Sequence, residues 1–388
     1  MTRLLAVLRP RPEAARAVLE AWDRDDAVAV LDPEAPGPVL ADTLTRLRPT
    51  HVLDEGGVRP EPAGVPPADD VRAVVLTSGT TGAPKAVELT DAGLAAVGAG
   101  CNAALVVERD DRWLLCLPLH HVAGLAILAR ARAGGQEVVV HPSFDPGAVA
   151  TAPRAAAATL VSVVPTMLRR LLDTGAPLSE YRRVVVGGQP FPAPLRARAV
   201  AAGAAVVDAY GLSETAGGML FDGNPIAGAA VDLDGDDEIR VQGPMVMRGY
   251  RFDADATRAV LDADGWLRTG DVGRRDETGA VHVVDRRRDL VITGGVNVSP
   301  TAVEHVLAEH PDVADVGVAG VPDEQWGERL VAFVVAVPGG RPPDVERLRA
   351  FARDRLRPAE LPRQVVVVDA IPRTPGGKVQ RRQLGAPG

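Results

Sequence analysis

The sequence predicts an α/β protein: a large N-terminal domain of α/β layers with a small β subdomain, then a small α+β C-terminal domain. Three observations carry this. Short apolar runs alternate with Ala-, Leu- and Arg-rich stretches of helical spacing; beyond about residue 230 the texture turns to short strands broken by Gly and Asp; and a last set of about a hundred residues mixes helix and strand again. With 388 residues, 46% of them hydrophobic, the chain can bury more than one core.

Taken in order, VRAVVLT (71–77), RWLLCLPL (112–119), EVVVH (137–141), RRVVVGG (182–188) and AAVVDAYG (204–211) read as buried strands. Several run directly into Gly, Thr, Ser or His, where open α/β sheets place their ligand loops. DGDDEIRVQGPMVMRGY and GAVHVVDRR read as short antiparallel strands. After Asp285 come the helical TAVEHVLAEH, the strand-like VADVGVAGV and LVAFVVAV, the helical VERLRAFARDRL and the strand-like QVVVVDAI, with PGGRPPD (338–344) as an internal loop. The domain boundary falls between Val284 and Asp289, which gives domains of residues 1–284 and 285–388.

Charge and cysteine content narrow the function. Lys plus Arg total 43 against 51 Asp plus Glu, a net charge of −8 that argues against a nucleic-acid surface. Cys101 and Cys116 lack disulfide or metal spacing and fit a reducing compartment. The N-terminal LLAVL stops at Arg9 and Pro10, too short for a signal segment, and no apolar run approaches the roughly 18 residues of a membrane helix. The expectation is a cytoplasmic protein without membrane insertion; monomer and homo-oligomer both stay open.

The chemistry begins after the first of these strands. Thr77, Ser78, Gly79, Thr80, Thr81 and Gly82, then Lys85, put hydroxyls, glycines and one ammonium at a strand end. Glycines let backbone N–H groups converge on an anion, the hydroxyls donate further hydrogen bonds, and the lysine adds positive charge, so the segment suits phosphate oxygens. It is not a Walker A loop, because Ala86 follows Lys85 where a magnesium-binding Ser or Thr should stand. Gly98-x-Gly100-x-x-Ala103 matches a dinucleotide fingerprint formally, but it lies in a helical run after Asp91, not behind a strand.

TSGTTGAPK resembles the phosphate-loop signature of the acyl-adenylating, AMP-forming superfamily that contains acyl-CoA ligases, luciferases and peptide-synthetase adenylation domains. The superfamily's later motifs follow in its order: PLHHVAG at 118–124, YGLSET at 210–215, GWLRTGD at 265–271, DRRRD at 285–289 with Gly294-Gly295, and PGGK at 375–378. The resemblance implies ATP and Mg²⁺, with coenzyme A as co-substrate. It makes Tyr210 the ring that stacks on adenine, with Gly188, Gly211 and Thr215 around the nucleotide. Glu214 becomes the magnesium ligand, a hard oxygen suited to Mg²⁺, and Asp271 with Arg286 holds the ribose. Lys378 is the catalytic lysine. His121, the second catalytic candidate, matches the histidine near the acyl pocket, and His120 stands where many relatives carry an aromatic. Which imidazole faces substrate stays open, since neighbours on a strand point to opposite faces.

The implied reaction has two steps. Lys378 and Mg²⁺ on Glu214 neutralise the charge between a carboxylate and the α-phosphorus of ATP, while Thr80, Thr81 and Lys85 hold the leaving pyrophosphate. The mobile C-terminal domain then turns about a hinge at Arg288, withdrawing Lys378 and bringing Gly294-Gly295 to the thiol channel. LPLHHVAGL, SVVPTML, VVVGGQPFP and YGLSETAGG, in a chain whose phosphate loop stands as early as 77, resemble the o-succinylbenzoate-CoA ligases of menaquinone biosynthesis. That implies an acid with two carboxylates, the succinyl one activated and the aromatic one held by polar groups or water. Ser162 and Thr166 are candidates for this, with core-strand or cap roles equally open. The alternatives are an acyl- or aryl-CoA ligase of other specificity, a freestanding adenylation protein loading a carrier, and a non-catalytic nucleotide-binding homologue.

Overall fold

The computed structural model describes residues 2–77, 84–175, 177–373 and 379–384. The chain divides into two compact units, one of Met1–Asp232, Arg240–Thr269 and Glu277–Val281, the other of Leu233–Ile239, Gly270–Asp276 and His282–Gly388.

In the first unit, strands β1 (Leu4–Val7), β2 (Ala27–Val30), β3 (His51–Asp54), β4 (Gly57–Pro60), β5 (Val71–Leu76) and β6 (Ala86–Thr90) join β16 (Gly249–Tyr250) in a seven-stranded sheet ordered β16-β6-β5-β2-β1-β3-β4. β3, β1, β2 and β5 run parallel. LLAV, AVAV and VRAVVL are near-continuous aliphatic runs, as strands covered on both faces must be. Residues 4–60, for which the sequence reading assigned no elements, thus supply four strands and helices α1 (Arg11–Trp22) and α2 (Gly37–Leu47).

The second seven-stranded sheet comprises β7 (Arg112–Leu115), β8 (Glu137–Val140), β9 (Leu160–Val163), β10 (Arg183–Gly187), β11 (Val206–Leu212), β12 (Gly217–Phe221) and β13 (Asn224–Pro225), ordered β13-β12-β11-β10-β9-β7-β8. The stretch from β8 to β11 is parallel. Helices α3 (Asp91–Leu105) and α4 (Val122–Gly134) share one buried core with strands of both sheets, through Leu94, Val97, Leu125 and Leu128 against Val75, Val87, Leu115 and Val185. Helices α5 (Pro146–Ala156), α6 (Pro165–Asp173) and α7 (Ala193–Ala201) contribute to a second core through Val149, Leu168 and Leu195. The formal dinucleotide match lies inside α3, as the sequence indicated. Its first glycine serves packing: a Cβ on Gly98 would stand 2.5 Å from the Ala129 carbonyl oxygen of α4, so only glycine lets these helices approach so closely.

Strands β14 (Ala230–Leu233), β15 (Glu238–Gln242), β17 (Leu267–Arg275) and β18 (Val281–Arg286) form a four-stranded sheet, the small β subdomain of the sequence reading, and helix α8 (Ala254–Val260) follows β16. The second unit holds β19 (Val291–Thr293), β20 (Val296–Val298), the long hairpin β21 (Val313–Asp323) and β22 (Gly327–Ala336), and β23 (Gln364–Val367), with helices α9 (Pro300–Leu307), α10 (Val345–Ala352) and α11 (Arg381–Leu384). Val303, Val318, Leu330 and Leu348 meet in its core. Among the described residues no helix is long and apolar enough to cross a membrane.

Candidate active site

The parallel strands deliver their carboxyl ends to the loops that carry the motifs. β5 ends at Leu76, and the next residue, Thr77, donates its backbone N–H to the Lys85 carbonyl oxygen at 2.9 Å, closing the base of the loop. Ser78, Gly79, Thr80, Thr81 and Gly82 lie outside the described residues. Lys85 is described: its ammonium sits over the Tyr250 ring, 4.5 Å from the centroid. The same tyrosine donates its hydroxyl to Glu214 Oε1 at 2.8 Å. Lys85 and Glu214, far apart in sequence, therefore converge through a residue that no motif marked.

Glu214 stands in the single turn Ser213–Thr215 that follows β11. Its carbonyl accepts the Met247 N–H at 2.8 Å, and Thr215 fastens the turn from within. The Thr215 hydroxyl is fully buried; it accepts from Leu212 N at 2.9 Å and reaches the Gly217 carbonyl at 2.9 Å, so it holds the loop that presents Glu214. Just before, Tyr210 is half-buried on β11 opposite Leu220, and the register shifts between Tyr210 and Gly211. Gly211 is obligatory there, because a Cβ would fall 1.8 Å from the Gly217 carbonyl oxygen. Gly188 follows β10 with φ of +78°, a conformation that glycine adopts without strain.

His120 and His121 correct one sequence expectation. They lie in the turn between β7 and α4, not on a strand, and their rings meet edge to face with centroids 4.5 Å apart. The opposite-faces argument therefore does not apply. Desolvation by the surrounding protein holds both imidazoles below the ordinary histidine value, although His120 is only half-buried and His121 is exposed at the surface; for His121 the neighbouring His120 adds to the effect.

A buried cation is the second feature that the motifs missed. Arg130 lies within α4, 4% exposed, between the rings of Trp113 (5.3 Å) and Phe221 (5.8 Å). It donates to Ser162 Oγ at 3.1 Å, its Nε has no partner, and no carboxylate among the described residues pairs with it. The signal was present in the sequence: LAILARA is apolar around the whole helix, which predicts burial on every side, and so predicts that its arginine is buried too.

In the second unit, Asp271 on β17 is 3% exposed and receives Arg286 Nε of β18 at 2.6 Å, so the two ribose candidates form one ion pair. Gly294 and Gly295 make the turn between β19 and β20, with Trp326 behind Gly294. Lys378 lies outside the described residues. On either side of its segment Arg373 and Val379 form an antiparallel bridge, and Arg381 pairs with Glu304 at 2.9 Å.

Whether the site suits Mg²⁺ can be judged from its donors. Among the described residues no group of three or more His, Cys, Asp or Glu could hold a metal ion. Glu214 leaves Oε2 without a hydrogen-bond partner among them while Oε1 is engaged. One carboxylate, with no protein cage, fits an ion held mainly by nucleotide phosphates and water.

Comparison with known proteins bears on this geometry. The model of the AMP-binding enzyme family matches residues 6–251, and that of the AMP-binding enzyme C-terminal domain matches residues 302–378. A 2-succinylbenzoate–CoA ligase of Bacillus cytotoxicus is 37% identical over 339 residues, 81% of this chain and 70% of that protein. The o-succinylbenzoate CoA synthetase of Bacillus subtilis, solved with the acyl-adenylate intermediate OSB-AMP, matches with a TM-score of 0.87 at 28% identity, covering 100% of this chain and 88% of that one. Its complex with ATP and magnesium ion gives a TM-score of 0.85 at 28% identity, covering 99% and 89%.

Proposed function

The chain belongs to the AMP-binding enzyme family, and from that premise we propose that it activates o-succinylbenzoate. It is an ATP-dependent, AMP-forming acid–thiol ligase that makes an acyl-adenylate and passes the acyl group to coenzyme A. The observation that supports adenylation in this chain is the convergence of Lys85 and Glu214 on Tyr250 beside the base of the phosphate loop.

In the first half-reaction a carboxylate oxygen of the acid attacks the α-phosphorus of ATP, and the bond to pyrophosphate breaks. No side-chain nucleophile is needed; the protein aligns two anions and neutralises their repulsion. Lys85, with Thr80 and Thr81, takes the pyrophosphate oxygens, and Lys378 takes the charge that develops on the α-phosphate. Tyr210 receives the adenine, with Gly188 and Gly211 keeping its approach open; Asp271 accepts the ribose hydroxyls and Arg286 orients that carboxylate. Glu214 would hold Mg²⁺, which when bound supplies positive charge to the phosphates. In the second half-reaction the thiol sulfur attacks the acyl carbonyl and AMP leaves. We assign residues 285–388 as the mobile lid, turning at Arg288 to exchange Lys378 for the Gly294-Gly295 turn, after the adenylating segment 1–284 has finished the first step.

The names of the relatives and the buried Arg130 support the choice of acid. A buried guanidinium that meets a serine hydroxyl and, among the described residues, no carboxylate has charge left for an anion, and o-succinylbenzoate carries a second carboxylate that stays free during activation. Ser162, a candidate from the sequence, is that serine. His121 and His120 are assigned to the acyl-pocket entrance as neutral imidazoles. A cytoplasmic location is supported by Cys101 and Cys116, both free and buried.

Pyrophosphate release across a panel of carboxylic acids, with and without coenzyme A, tests the reading. The expected result is strongest release with o-succinylbenzoate and thioester only with coenzyme A. Preference for a monocarboxylate would remove the substrate assignment, and acyl transfer only to a carrier-bound thiol would replace the acceptor.

A further inference from the structure

Lys85 and Glu214 carry opposite charges and are needed for different partners, the one for phosphate oxygens and the other for a divalent cation. In a nucleotide-free site such a pair is expected to collapse into a direct ion pair, which each ligand would then have to break. Among the described residues neither forms an ion pair. Tyr250 stands between them instead, its ring face beneath the ammonium (4.5 Å to the centroid) and its hydroxyl on Glu214 Oε1 (2.8 Å).

The scaffold fixes that ring. Tyr250 is 9% exposed on β16, a two-residue strand paired antiparallel with β6, Tyr250 opposite Val87. Its N–H donates to Thr257 Oγ1 at 2.9 Å. The next residue, Arg251, is buried, pairs with Glu88 at 2.9 Å and donates Nε to the Leu47 carbonyl at 2.9 Å. Backbone anchored on both sides leaves the tyrosine little freedom to follow either charged neighbour.

We propose that Tyr250 is a positioning residue for adenylation: it holds Lys85 and Glu214 apart, each in a contact weaker than the ion pair they would otherwise form. A cation over an aromatic face and a phenol on a carboxylate are both favourable, yet both leave the charges in place for incoming ligands. The hydroxyl engages Oε1 and leaves Oε2 for the cation. The proposal rests on the assignment of Glu214 as the Mg²⁺ ligand and goes beyond it, since it gives Tyr250 no contact with substrate.

The test is calorimetric titration of the full chain with a non-hydrolysable ATP analogue across Mg²⁺ concentrations, for the wild type, Tyr250→Phe, Lys85→Met and the double variant. Tyr250→Phe keeps the ring and the core packing but frees Glu214 to reach Lys85. It should raise the Mg²⁺ concentration for half-maximal analogue binding about tenfold, which is about 1.4 kcal/mol. In the Lys85→Met background, where no ammonium competes, the same substitution should shift it less than about threefold. An unchanged Mg²⁺ requirement in Tyr250→Phe would overturn the proposal, as would an equal shift in both backgrounds. If analogue binding by the wild type is indifferent to Mg²⁺, the assignment of Glu214 itself fails, and with it this inference; a Mg²⁺-dependent wild type beside an unaltered Tyr250→Phe sinks the inference alone.

Discussion

Replacing Arg130 by methionine tests the proposed recognition of a second carboxylate separately from the activation step. The guanidinium is 4% exposed, donates to Ser162 Oγ at 3.1 Å, and lies between two aromatic rings, so it acts in a water-poor surrounding. A hydrogen bond to a charged group there contributes about 1.5–3 kcal/mol, or roughly ten- to a hundredfold in kcat/KM. Methionine follows the course of the arginine stem and exchanges a buried charge for apolar contact, a change that is often close to neutral for stability. The assay compares o-succinylbenzoate with 4-oxo-4-phenylbutanoate, which has the same reacting carboxylate and no ring carboxylate. Arg130→Met should lower kcat/KM for the first by about ten- to a hundredfold and leave the second within about threefold. A parallel fall for both acids, in a protein whose unfolding midpoint is unchanged, would refute the argument: Arg130 would then support the site as a whole and say nothing about the second carboxylate.

Other substitutions probe other links. Lys378→Ala should abolish acid-dependent pyrophosphate release while thioester formation from supplied acyl-adenylate persists; equal loss of both half-reactions would contradict the lid assignment. Gly211→Ala places a methyl 1.8 Å from the Gly217 carbonyl oxygen, so the backbone must move. A loss of at least about 2 kcal/mol is expected in denaturant unfolding, and a stability within about 0.5 kcal/mol of the wild type would show the bend to be compliant. Desolvation depresses the proton affinity of the half-buried His120 and, with His120 beside it, of the exposed His121 in the folded state, so the unfolded chain binds protons more readily below the ordinary histidine value of 6.5. Their contribution to stability is complete above that value and is lost as pH falls through the lower folded values. The double variant His120→Gln with His121→Gln should therefore lose less stability than the wild type between about pH 6.5 and 5 in urea unfolding; an identical pH profile would exclude the pair as its source.

What the sequence disclosed follows a physical division. Strand runs such as VRAVVL were legible because buried parallel strands demand continuous aliphatic residues, a local requirement. The pairing of the two-residue strand β16 was not: the sequence places Gly249-Tyr250 at the end of a run of short antiparallel strands, but its partner β6 stands some 160 residues earlier in the chain. Tyr250 was missed for the same reason: its position between Lys85 and Glu214 exists only once β6, β11 and β16 have been assembled. The histidine pair failed differently. RWLLCLPL suggested a strand continuing to residue 119, but β7 ends at Leu115, and the chain then bends so that two adjacent rings meet. Motifs mark the groups that a ligand touches, since their chemistry restricts the residue type directly. The groups that keep those side chains apart, aimed or charged are chosen by the packing of distant segments, and on the roles proposed for Tyr250 and Arg130 such groups stand between and behind the motifs rather than inside them.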